Sequence, residues 1–127
     1  MAITGPQDTV DAFFAAFNRN DVESVIACYE PTAAFVAQPG QIAEGHAAIR
    51  DAVNAFLILN PTLTPQKKTL VAANGLALSI VKWTLSGTAP DRTPVRMEGT
   101  TSDVLRQQAD GRWLYAIDNP WGAGILQ

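Results

Sequence analysis

The chain of 127 residues contains one cysteine and one histidine, and each scarcity removes a class of protein. Cys28 has no partner for an intramolecular disulfide, so this is not a disulfide-stapled secreted scaffold. With His46 the sole imidazole and Cys28 alone within a helical stretch, the cluster that a common metal site needs is missing, and no metal is expected. Charge is also sparse. Charged residues make up 17% of the chain and the net charge is -3, so no basic field exists to draw in a phosphate backbone, and nucleic acid is not an expected partner. No apolar run reaches the roughly 18 to 20 residues of a membrane helix, and the start MAITGPQDTV lacks the regions of a signal peptide. The reading is a cytoplasmic protein with no membrane partner. The glycines never fall in the spacing of a phosphate loop or dinucleotide fingerprint after a strand, so no cofactor is expected.

What remains is an ordinary globular composition, 47% hydrophobic and 8% aromatic, at a length that suits a single domain over 1–127. Val10, Phe13, Phe14 and Phe17 fall at i, i+3, i+4 and i+7, which predicts a first helix ending near Asn18, with Thr4 and Gln7 as a capping box and Pro6 in the first turn. Asn20 or Asp21 caps a second helix striped by Val22, Val25, Ile26 and Tyr29 and stopped by Pro31. A short extended piece at Ala34–Ala37 and a loop at Pro39-Gly40 precede a third helix. Its stripe is Ile49, Ala52, Val53, Phe56 and Leu57, and Asn60-Pro61 ends it.

From Gln66 onward the period changes to two. Four strands are predicted, at 69–73, 76–87, 95–107 and 112–119, with Asn74-Gly75 as a tight hairpin and Ala109-Asp110-Gly111 as a three-residue loop. Strands of a dozen residues must curve. The fold class is therefore α+β, with three N-terminal helices on the concave face of a strongly curved, mainly antiparallel sheet, an arrangement that leaves room for an apolar cavity between the layers. On the 95–107 strand Met97, Gly99, Thr101, Asp103 and Leu105 share the inner face. Arg96, Glu98, Thr100, Ser102, Val104 and Arg106 share the outer one, which suits a sheet-to-sheet contact as well as solvent.

The order of elements, the segment NRNDVESVIACYEPTAAFV, the helix start Glu44-Gly45-His46-Ala47-Ala48-Ile49-Arg50 and the closing Asp110-Gly111-Arg112-Trp113 resemble the nuclear transport factor 2-like superfamily, in its SnoaL-like and ketosteroid-isomerase-like branch. The resemblance covers nearly the whole chain. It implies a cone-shaped, cystatin-like roll that dimerises through its sheet, and it leaves function open because the fold hosts isomerases, cyclases, dehydratases and binding domains. Ketosteroid isomerases use an oxyanion tyrosine, a carboxylate base and a neutral acid. The first falls on Phe13 and the second on Ala37 or Gln38, none of which can serve. The third falls on Asp103, so a steroid-isomerase mechanism is disfavoured while the acid is kept. In SnoaL-like cyclases a carboxylate late in the sheet is the base, which falls near Asp118 or Asn119.

Asp103 is the one candidate catalytic residue, because a carboxylate on an apolar strand face needs either hydrogen bonds or a raised pKa, and such groups cluster at functional sites. The competing reading is a structural anchor. Phe13, Phe17, Tyr29, Phe56, Trp83, Met97, Tyr115 and Trp121 are candidate ligand contacts that equally describe a core, and Asn119 and His46 are candidate hydrogen-bonding partners. His46 at a helix start also reads as an exposed first-turn residue, and Cys28 as a small buried hydrophobe. Asp118 and Asn119 also fit a turn before Pro120. If Trp113, Tyr115 and Ile117 face inward, strict alternation sends Asp118 outward. The expected function is binding of a hydrophobic small molecule bearing a carbonyl or hydroxyl, with cofactor-independent acid–base catalysis of isomerase, cyclase or dehydratase type in view. The alternative is a non-catalytic interaction domain with a self-filled core. A homodimer through the outer sheet face is the expected assembly.

Overall fold

The computed structural model describes residues 5–126. Helix α1 spans Pro6–Asn18, with Pro6 in its first turn and a reciprocal cap in which the Gly5 N–H donates to the Asp8 carboxylate. Gly5 is thus the cap residue, and Gln7 instead donates to Asp11 one turn on. The capping role expected of Thr4 lies outside the described residues. Asp21 caps α2 (Val22–Ile26), accepting from the Ser24 N–H at 3.2 Å.

Helix α2 is shorter than its apolar stripe predicts. Tyr29 begins strand β1 (Tyr29–Gln38) rather than closing a helical face, because the chain turns at Cys28 and pairs with the last strand through Tyr115 N–H to Cys28 O, 2.8 Å. Pro31 therefore lies within β1, on a stretch where pairing to that strand is irregular and no ladder bond is lost. A hairpin at Pro39-Gly40 leads into a strand absent from the sequence reading, β2 (Gln41–Glu44), and then into α3 (Gly45–Leu57). Strand β3 (Thr62–Ala73) starts seven residues earlier than its alternation suggests and carries Pro65, tolerated because β3 is an edge. Asn74 and Gly75, at φ of 53° and 75°, turn it into β4 (Leu76–Thr88).

The expected 95–107 strand divides into β5 (Pro94–Thr100) and β6 (Asp103–Gln107). The register against β4 nonetheless continues through the break, from Lys82↔Thr100 to Ser79↔Asp103. At the break the Thr101 hydroxyl replaces a backbone acceptor, taking the Val81 N–H at 3.0 Å. Strand β7 (Trp113–Asp118) and a short 3-10 turn, Gly122–Ile125, complete the chain. The sheet order is β2-β1-β7-β6-β4-β3 with β5 also on β4, and only β1–β7 is parallel. This mainly antiparallel, curved sheet carries the helices on its inner face, where Val10 and Phe17 of α1 and Ile49 and Val53 of α3 meet Val81, Trp83, Leu105 and Tyr115. Among the described residues no helix is long and apolar enough to cross a membrane.

Candidate functional site

Alternation on β5–β6 brings Asp103 to the inner face, where it is 3% exposed. It does not bring Asp118 there by itself. A bulge does: Leu105 pairs with Tyr115 but Val104 pairs with Ile117, so Ala116 is an extra residue on β7 and the faces invert beyond it. Tyr115 and Asp118 consequently both point inward while Ile117 points out, the reverse of what strict alternation predicts. That single insertion sets two carboxyl groups within hydrogen-bonding reach of each other in an apolar interior.

Each carboxyl has its own partners. Asp103 Oδ1 accepts the Asn119 N–H at 2.8 Å, and Asp118 Oδ2 accepts the Tyr29 hydroxyl. Burial first, then the adjacent charge of Asp118 and the hydrogen bond shared with it, push the Asp103 carboxyl well above the usual range. Burial also pushes Asp118 up, opposed by the hydrogen bonds it accepts from Tyr29 and Asp103. Two like charges this close in low dielectric cannot both form, so the pair holds a proton, and the hydrogen-bond pattern assigns it to Asp103. Burial raises the Tyr29 and Tyr115 hydroxyls well above their ordinary value as well, so both remain donors.

The pair opens onto a cavity of about 60 Å³ under α1 and α3. A water needs roughly 10–15 Å³ of such space, so the cavity exceeds a single buried solvent site. Phe13, Phe17, Phe56, Trp83, Tyr115 and Trp121, all expected as contacts, line it with Asp103. Sequence reasoning did not single out Phe14, Phe35, Leu63, Leu85, Thr101, Asp118 and Pro120 as contacts, yet they line it too. For Phe14 the signal was present in the α1 stripe, whereas Phe35 and Leu63 sit on strands whose limits were misread. Tyr115 stands in the wall beside the pair, 2% exposed.

Four expected contacts lie elsewhere. Tyr29 stands behind the wall and reaches the site only through Asp118. Met97 packs half-buried on the edge of the core, opposite Leu85. His46 Nε2 lies 2.9 Å from the Tyr29 carbonyl oxygen, held by backbone and away from the cavity. Asn119 spends its side chain on a turn, accepting the Trp121 N–H and donating to Gly122 O, and serves Asp103 through its backbone alone. Cys28 is buried beside Ser24 O, and burial pushes its thiol up to about 11, which makes it inert at neutral pH.

The rim at Pro120-Trp121 is tied down from two sides. Trp83 Nε1 donates to Pro120 O at 2.9 Å, and Trp121 Nε1 donates to Ala37 O at 3.1 Å. Gly99 permits this approach, since a Cβ there would sit 2.9 Å from both Pro120 O and the Trp83 ring.

A curved α+β roll with its helices on the inner face of a mainly antiparallel sheet defines the class, the nuclear transport factor 2-like fold. Within it the chain belongs to the SnoaL-like domain family, whose profile matches residues 10–116. Solved structures agree on the architecture at low identity. A protein of cystatin-like fold from Caulobacter vibrioides superposes with TM-score 0.76 at 21% identity, over 88% of this chain and 82% of that one. A protein from Streptomyces avermitilis, provisionally named a dehydratase of the nuclear transport factor 2-like family, gives 0.76 at 14% identity over 89% and 90%. One from Xanthomonas campestris, provisionally named a calcium/calmodulin-dependent protein kinase II association domain, gives 0.77 at 16% over 94% of each. No curated protein matches the sequence.

Proposed function

We propose that this chain binds a hydrophobic small molecule bearing a carbonyl or hydroxyl in the cavity under α1 and α3, and that Asp103 and Asp118 perform cofactor-independent acid–base chemistry on it. The observation that carries this reading is the pair itself: two buried carboxyls in contact, differently hydrogen-bonded, at the head of an aromatic cavity. Environments that separate the pKa values of adjacent acids divide the roles of acid and base between them. Protonated Asp103 is the acid, donating to a substrate oxygen. Asp118, held as the carboxylate by the Tyr29 hydroxyl, is the base that takes a proton from carbon, and the Tyr115 hydroxyl in the same wall is a second donor to the oxygen. Such a sequence fits isomerisation, cyclisation or dehydration. No Lys or Arg lines the cavity, which favours an uncharged ligand over a carboxylate or phosphate.

A second copy of the chain covers the outer sheet face. Val71, Leu78, Val104 and Ile117 are successive register partners across β3, β4, β6 and β7, forming an apolar row in which Val71 is 60%, Leu78 43% and Ile117 45% exposed. Contiguous apolar surface of this kind supports a sheet-to-sheet contact over plain solvent.

A thermal-shift screen of aryl ketones, hydroxylated polyketides and steroids against the wild type and Asp103→Asn tests the reading. A ligand at a hundred times its Kd adds roughly 2.7 kcal/mol to native stability, a shift of several degrees. Stabilisation of the wild type that Asp103→Asn loses is expected. Absence of any shift, with the variant altered only in intrinsic stability, would make Asp103 structural.

A further inference from the structure

Beside the cavity that holds the acid pair lies a second recess, of about 90 Å³, lined by Val10, Asp11, Phe14, Pro65, Lys68 and Val81. Phe14 is the one residue that belongs to both walls. The two spaces follow one another along the same three elements. On α1 the lining passes from Phe17 through Phe14 to Val10, on β3 from Leu63 to Pro65 and Lys68, and on β4 from Trp83 to Val81. The two spaces thus adjoin along the groove between α1 and the β3–β4 hairpin, with Phe14 in the wall of each. Its ring is half-buried and touches Phe13 edge-on, with centroids 5.8 Å apart. The outer stretch opens at the Lys68–Asp11 ion pair, 3.2 Å long with both side chains about half exposed.

We infer that Phe14 is a partition that determines ligand length, and that the outer recess is a tail-binding subsite for elongated apolar ligands whose oxygen-bearing head lies at Asp103 and Asp118. The inference rests on the proposed reading of the head site and adds the shape of the ligand. A compact ligand fills the inner cavity with Phe14 in place. A longer one displaces the ring and lays its chain past Val81 toward the Asp11–Lys68 mouth. The groove offers the tail apolar contact from Val10, Pro65 and Val81, and only at its outer end a pair of opposite charges that cancel, so the fitting tail is an uncharged alkyl or polyketide-like chain. Rotation of one aromatic ring costs little backbone rearrangement, since no hydrogen bond depends on it.

The test is a homologous series, phenol, 4-ethylphenol, 4-butylphenol and 4-hexylphenol, titrated against wild type, Phe14→Ala and Pro65→Trp by quenching of Trp83 and Trp121 in the inner wall and, for Pro65→Trp, by calorimetry. Buried methylenes gain affinity by roughly three- to fourfold each. Removing the partition also removes a wall of the inner cavity, so the readout is relative: the ratio of the 4-ethylphenol Kd to the 4-hexylphenol Kd is expected to rise at least tenfold over wild type. Pro65→Trp, an exposed edge position whose ring fills the recess, is expected to weaken 4-hexylphenol at least tenfold and spare 4-ethylphenol. Phe14→Leu repeats the first comparison if the alanine variant fails to fold. Binding of the short phenols with the same change across the series in every variant would overturn the tail subsite and leave the head site standing. Failure of every phenol to bind any variant would overturn both.

Discussion

The Tyr29 hydroxyl donates a hydrogen bond to Asp118 Oδ2 across 89 residues of sequence, joining the first strand to the last. Because β1 and β7 are parallel neighbours here, with Tyr29 opposite Tyr115 and Phe35 opposite Asp118, the bond crosses from one strand to the next beside the cavity. It also breaks the symmetry of the acid pair. Asp118 accepts from Tyr29 and from Asp103, whereas for Asp103 burial, the Asp118 charge and the shared hydrogen bond outweigh the Asn119 N–H and Thr101 side chain that favour its charged form, so the charge settles on Asp118 and the proton on Asp103.

Tyr29→Phe should therefore act on chemistry and stability together. The substitution keeps the ring that packs against Phe13 and Phe35 and removes the donor to Asp118 other than Asp103. Leaving a buried acceptor short of a partner costs about 1–3 kcal/mol, readable by urea unfolding. The Asp118 carboxyl should titrate higher in the variant, followed by carboxyl carbon NMR. An unchanged titration would mean that Tyr29 serves packing alone.

Asp103 makes a second, opposite prediction about pH. Its folded pKa is raised above the ordinary 3.8, so the native state holds a proton that the unfolded chain releases. The associated stability is fully present below about pH 3.8 and is lost progressively as pH climbs from there through the folded value. Wild-type Tm should thus carry a downward slope on this account from pH 4 toward neutrality. Asp103→Asn, which cannot ionise, should flatten it. Equal slopes in the two proteins between pH 4 and 7 would show that the pair does not hold its proton.

Gly122 tests the rim. At φ +53° a Cβ there would lie 2.4 Å from the Thr100 carbonyl oxygen, whereas Gly111, at φ +91°, has nothing within 4 Å. Gly111→Ala carries only the left-handed conformational cost, about 1–2 kcal/mol. Gly122→Ala adds a collision with backbone and should cost at least twice as much, with a change in Trp121 fluorescence as the rim shifts off Trp83. Similar losses in the two variants would mean the rim relaxes freely.

What the residues disclosed in advance follows from which features are local. The α1 and α3 stripes and the Asn74-Gly75 turn are set by neighbouring side chains and by backbone preference, and they were legible. So was the inward face of Asp103, because the register along β4 is unbroken between Lys82 and Ser79. The errors sit where distant pairing decides. Tyr29 matches a helical stripe by spacing but is claimed by β7, and β3 is exposed on both faces over most of its length, so it shows no alternation until late. The extra residue at Ala116 leaves no mark in composition, yet it alone turns Asp118 from the outer face into the site.

The outer face carries the last prediction. Leu78 sits at the middle of the apolar row, paired with Val71 on one side and Val104 on the other, and it makes no contribution to the inner core. A charge placed there is solvated in a monomer and desolvated in a sheet-to-sheet dimer, where its symmetry mate or an apolar neighbour faces it. Leu78→Asp should therefore leave monomer folding nearly unchanged while weakening association by a hundredfold or more, seen as a halved mass in light scattering at micromolar concentration. Ile117→Lys, on the neighbouring strand of the same row, should do the same. The wild type at monomer mass at millimolar concentration would remove the dimer, and a wild-type dimer indifferent to both substitutions would move its interface elsewhere.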